Sequence, residues 1–114
     1  MEREIKYYRT SSGRTPVKSF IDGLNERQQE KVYFVFLLVK TIKVVPKHFL
    51  KKLKNCGGIW EIRVEFKNDL FRFLGFFDGN KLIVLSHAFT KKSQKIHKKE
   101  INIAKARMED YYEK

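Results

Sequence analysis

A chain of 114 residues with 42% hydrophobic side chains holds enough apolar material for one modest core, which predicts a single domain over residues 1–114 and excludes a disordered polypeptide. Its 25 Lys and Arg against 13 Asp and Glu give a formal net charge of +12, so the partner is nucleic acid, an anionic membrane surface or an acidic protein. The longest apolar run, Val32 to Val39, falls far short of the roughly 20 residues a membrane helix needs. Met1 to Arg9 lacks the core of a signal peptide, and a lone Cys56 excludes an intrachain disulfide or a cysteine cage. The expectation is a reduced, cytoplasmic protein without membrane contact.

In chain order, Ile5, Tyr7 and Arg9 alternate with Glu4, Lys6 and Tyr8, predicting a short strand that can join a later sheet. Thr15-Pro16 reads as N-cap and first position of a helix carrying Val17, Phe20, Ile21 and Leu24 at helical spacing. Glu26 to about Thr41 is β-branched and aromatic in its middle, but its length and polar lead-in predict a helix that is apolar around much of its circumference. From Lys40 to Lys54 stand six lysines and no acid. That stretch reads as a basic loop with a helical turn at Phe49, Leu50 and Leu53, ending in the turn Asn55-Cys56-Gly57-Gly58.

Ile59 to Lys92 then reads as three strands and a basic tail. Trp60, Ile62, Val64 and Phe66 alternate with Glu61, Arg63 and Glu65. If Asn68-Asp69 and Gly79-Asn80 are two-residue loops, Arg72 lies across from Glu65 on one side and from His87 on the other. The core face then holds Trp60, Ile62, Val64, Phe66, Phe71, Phe73, Phe77, Leu82 and Val84, and the other face holds Arg63, Arg72 and His87. A three-residue loop or a bulge flips a strand and breaks that constellation. Thr90 to Lys95 is a loop and helix entry, and a last helix carries Ile101, Ala104, Met108 and Tyr111 on one stripe. The order predicts an α+β domain: a small antiparallel or mixed sheet with the N-terminal helices packed on it, a C-terminal helix, and helices mainly on one face.

His48, His87 and His97 have no zinc-type spacing and no accompanying carboxylates, and no phosphate loop, dinucleotide fingerprint or nucleophile elbow is present. No metal or cofactor is implied. Cys56 between turn residues has no identifiable base and reads as structural. What remains is positive charge at strand ends: Arg63, Arg72, His87, Lys91, Lys92 and Lys95. The plain account is an Arg72–Glu65 cross-strand pair. The sharper one is a phosphodiester site, with guanidiniums on phosphate oxygens and His87 as proton carrier. RNA suits such a site because its own 2′-hydroxyl can attack the neighbouring phosphorus once a base removes the proton.

The run IWEIRVEF, then FRFLGFFDGNKLIVLSHAFTKKSQKIHKKEI and AKAR, resembles the HigB-like branch of the RelE/ParE toxin superfamily, its phage-derived members included. The resemblance spans roughly Thr15 to Arg107 and is most specific from Trp60 to Lys105. It implies a RelE-like, microbial RNase-like fold and a toxin neutralised by a HigA-like helix-turn-helix antitoxin. RelE-type members cut messenger RNA on translating ribosomes by 2′-hydroxyl attack without a metal. By position, Arg63 matches a basic strand residue of the family, Arg72 its phosphate-stabilising arginine, and Lys91 or Lys92 the basic residue after the last strand. His87 joins them as a catalytic candidate, with Lys51, Lys52, Lys54, Lys95, Lys98 and Lys99 as contacts to messenger and ribosomal RNA. Glu61 stands where RelE has a lysine, and its C-terminal tyrosine base has no counterpart near His97 or Lys98. The alternatives are a ParE-like inhibitor of DNA gyrase and a basic RNA-binding module.

Overall fold

Asp69–Asp78 (β4) is the strand on which the molecule is built: residues 70 to 76 are buried without interruption, as for a strand covered on both faces. A computed structural model describes residues 1–90 and 95–114. Around β4 run Glu4–Tyr7 (β1), Leu50–Lys52 (β2), Trp60–Phe66 (β3) and Leu82–Thr90 (β5), in the order β1-β5-β4-β3-β2. All neighbours are antiparallel except β1, which lies parallel to β5 at one edge. The helices are Pro16–Asp22 (α1), Glu26–Thr41 (α2) and Lys98–Glu113 (α3). No helix among the described residues is long and apolar enough to cross a membrane.

α2 holds its helical form against strand-like composition because Asn25 caps it: Asn25 Oδ1 accepts from Gln28 N–H at 2.9 Å while Gln28 Oε1 accepts from Asn25 N–H at 2.9 Å. At its other end Arg3 donates to the carbonyls of Val39, Ile42 and Lys43, satisfying groups the last turn leaves open. Thr15 precedes Pro16 as predicted, but its side chain makes no cap bond.

Val17 and Ile21 of α1 and Val32, Val35, Phe36 and Val39 of α2 meet Ile62, Val64, Phe71, Phe73, Ile83 and Leu85 in the main core. α3 packs on the opposite face, where Ala104 and Ile101 meet Leu53, Ile59, Leu74 and Phe89, and Met108 and Tyr111 meet Tyr8, Phe76 and Val84. The helices therefore divide two and one between the faces rather than gathering mainly on one.

Three further expectations change. Leu50 to Leu53 is not a helical turn; Leu50–Lys52 is an edge strand paired to β3. The β3–β4 loop is Lys67-Asn68, with Lys67 at φ 56°, so every pairing slides by two residues and the faces survive. The β4–β5 loop is Gly79-Asn80-Lys81, one residue longer than a two-residue turn, and turns Leu82 and Val84 away from the main core, bringing Ile83 and Leu85 in. A register shift then occurs: Gly75 pairs with Leu85 but Leu74 with His87, leaving Ser86 as an extra residue. The long loop flips the strand and the bulge flips it back, so His87 ends on the arginines' face. Gly75 makes this possible, because a Cβ there would lie 2.2 Å from the Val84 carbonyl oxygen.

Candidate functional site

Side chains of Lys51, Glu61, Leu74 and His87 form one row across β2, β3, β4 and β5 on the α3-facing side. In the next row Arg63 pairs with Arg72, and Arg72 with Phe89. His87 thus stands one strand over and two residues along from Arg72, a diagonal of about 7–8 Å. The sheet does bring Arg63, Arg72 and His87 to one face, although Arg72 is opposite neither Glu65 nor His87.

Two guanidiniums in directly opposed positions repel, and Glu61 answers that repulsion. Arg72 Nη1 donates to Glu61 Oε2 at 2.5 Å, with the two side chains 2% and 0% exposed. The expected Arg72–Glu65 pair is therefore replaced by a buried one; Glu65 pairs with Leu70 across the strands and holds His48 Nε2 at 2.9 Å on the surface. Arg63 is half-buried beside this pair. Two guanidiniums against one carboxylate leave the patch positive.

α3 supplies a carboxylate beside His87. His87 Nε2 lies 2.7 Å from Glu100 Oε1, each side chain 13% exposed, and the imidazole stacks on Phe89 at 5.4 Å between ring centres. Burial pushes the imidazole below its ordinary 6.5, with Arg107 adding to the drop while Glu100 pulls the other way. That shift favours the neutral imidazole. Arg107 Nη1 donates to the Ser86 carbonyl at 2.8 Å and Ser86 Oγ to the Ala104 carbonyl at 3.2 Å, so α3 clamps the bulged residue next to His87. A neutral imidazole aligned by a carboxylate, near two arginines, can accept a proton next to a bound anion.

Of the remaining predicted residues, Lys51 joins the His87 row, whereas Lys52 sits opposite Trp60 and points to the other face. Lys54 is exposed in the following turn, and Lys95, Lys98 and Lys99 are exposed at the entry to α3. Lys91 and Lys92 lie outside the described residues. Cys56 Sγ donates to the Lys54 carbonyl in a turn where Asn55, Gly57 and Gly58 adopt positive φ, and it packs against the α3-side core. The tyrosines stand elsewhere: Tyr7 and Tyr33 lie by α1 and α2, while Tyr8 and Tyr111 bond Asp110 and Asp78 at the far end of α3. Desolvation and the bond to Asp110 raise the Tyr8 phenol, and the bond to Asp78 pushes Tyr111 up to about 12, so both are neutral structural groups. No group of three or more metal-ligating side chains occurs among the described residues.

Sequence reasoning missed Glu61 and Glu100 as partners. Glu61 read as an ordinary outward residue, and the only trace of Glu100 is that it is a lone acid in the lysine-rich opening of α3. The family model of phage-derived protein Gp49-like (DUF891) matches residues 19–109. No curated protein matches the chain.

Proposed function

Because the chain belongs to the phage-derived Gp49-like family, which is associated with the toxins of toxin–antitoxin pairs, we propose that it is a type II toxin acting as a metal-independent, ribosome-dependent mRNA endoribonuclease. The observation that carries the reading is His87, 2.7 Å from Glu100, on the same sheet face as Arg63 and Arg72. His87 takes the proton of a 2′-hydroxyl on Nδ1 while Glu100 steadies the imidazolium through Nε2. The 2′-oxygen attacks the adjacent phosphorus, the bond to the 5′-oxygen breaks, and a 2′,3′-cyclic phosphate forms. An ammonium from Lys91, Lys92 or Lys95 protonates the departing oxygen. Arg63 stabilises the charge gathering on the phosphate, and Arg72, held by Glu61 behind it, adds positive potential without touching substrate. Lys51, Lys54, Lys98 and Lys99 supply ribosomal contacts.

The uncovered outer side of α2, with Tyr33, Phe34 and Leu37 at 43%, 55% and 49% exposure, supports an antitoxin partner of the HigA-like kind that packs apolar side chains there. The neighbouring reading frame, co-expressed, should give a stable complex.

Mapping message 5′ ends after brief induction tests the activity. Cuts confined to translated frames, lost in Arg63→Gln and His87→Asn proteins that keep the wild-type urea midpoint, are the expected result. Intact messages refute it. Intact messages with DNA damage would match gyrase inhibition, and steeply salt-dependent RNA binding without growth arrest would match a binding module.

A further inference from the structure

Two adjoining recesses of about 600 and 540 Å³, the first on the face of the sheet opposite His87 and the second wrapping the β2 edge, share Val45, Leu50 and Trp60, the chain's only tryptophan. Both volumes lie within the range of ligand sites, about 300–1,000 Å³. Their rims carry Arg3 and Lys43 on one side and Lys47, Lys51, Lys52 and Lys54 on the other, and among the described residues no acid lines either recess. Arg3 is occupied in closing α2, which leaves the lysines for a ligand. Trp60 is only partly buried, and an edge-to-face contact with Phe77 at 5.1 Å fixes its plane before anything binds.

We infer that this groove binds a segment of single-stranded RNA, with a base stacked at Trp60 and the flanking phosphates on Lys43, Lys47 and Lys52. A polynucleotide presents one planar ring and one negative charge per unit, which is what an aromatic floor between two cationic rims accommodates. An acidic peptide would use the lysines but leave the indole without a role. Lys51 and Lys52 point to opposite faces of β2, so a strand crossing that edge passes from the groove to the His87 face within one strand's width. The inference extends the proposed RNA-cleaving reading but is tested on purified protein without ribosomes, so either can fail while the other stands.

Trp60 emission is followed while an octamer of uridylate, an eight-phosphate strand lacking bases, or polyglutamate is added, with affinities from the anisotropy of end-labelled strands. Uridylate should quench the emission and the base-free strand should not. Trp60→Leu should weaken uridylate binding about 5- to 150-fold, the range a stacked base contributes, and leave the base-free strand unchanged. Should Trp60→Leu not fold, the exposed Lys52→Glu protein serves, expected to lower the slope of log K against log salt by about one or more. Equal binding of strands with and without bases, or quenching by polyglutamate that matches uridylate, overturns the inference.

Discussion

Replacing Arg72 by alanine removes the guanidinium from a pair in which both side chains are buried, leaving the Glu61 carboxylate at 0% exposure without the donor at 2.5 Å. Breaking such a pair from one side costs about 3–5 kcal/mol, against a total stability of about 5–15 kcal/mol for a domain. With a urea m-value of about 2 kcal/mol/M, the midpoint should fall by about 1.5–2.5 M. The double replacement Glu61→Leu with Arg72→Met removes both charges and keeps the volume, and should return to the wild-type midpoint or exceed it. Urea unfolding followed by circular dichroism and by Trp60 fluorescence reads both proteins. A midpoint shift under about 0.5 M for Arg72→Ala, or a double variant no better than the single one, would refute the buried-pair account. The result also governs toxicity assays: growth restored by Arg72→Ala reports lost fold as readily as lost catalysis, whereas the double variant removes the guanidinium together with its carboxylate from a folded protein.

Because the folded imidazole of His87 titrates below 6.5, the unfolded chain binds more protons as pH falls through that window, so stability should decline from pH 6.5 downward. His87→Asn should flatten that part of the stability profile, and the wild-type cleavage rate should fall on a low-pH limb that lies below pH 6.5. Gly75→Ala places a methyl 2.2 Å from the Val84 carbonyl oxygen inside the sheet, and should lower stability by about 3 kcal/mol or prevent soluble expression; a urea midpoint within 0.3 M of wild type would contradict the bulge geometry. Asn25→Ala opens the capping box of α2 and should cost about 1 kcal/mol in the same assay, with Asn25→Ser recovering most of it.

Period-two alternation in Trp60 to Phe66 located β3 and its faces, and the length of Glu26 to Thr41 with its polar lead-in located α2, because each of these signals is local. Leu82 and Val84 were misplaced for a reason that is not local. The longer loop at Gly79-Asn80-Lys81 and the extra residue at Ser86 each reverse the strand, and only the close approach at Gly75 reveals the second. His87 reached the arginines' face because two reversals cancel. The candidate site was legible in its basic members, which patterning places on one side of the strands. Its acidic members were not: Glu61 finds Arg72 only through the pairing of β3 with β4, and Glu100 finds His87 only after α3 folds back thirteen residues later.

β2 ends the sheet with three residues, two of them lysines, opposite the β1 edge. An unpaired strand edge is a template on which a second copy can add a strand, and short length with like charge is how soluble proteins deter it. Two molecules approaching through β2 would each present Lys51 and Lys52 to the other. The same charge suits a polyanion, so the edge that deters a second copy is also the edge that the proposed RNA groove borders. Neutralising the two lysines should therefore first appear as self-association at high concentration, well before any loss of fold.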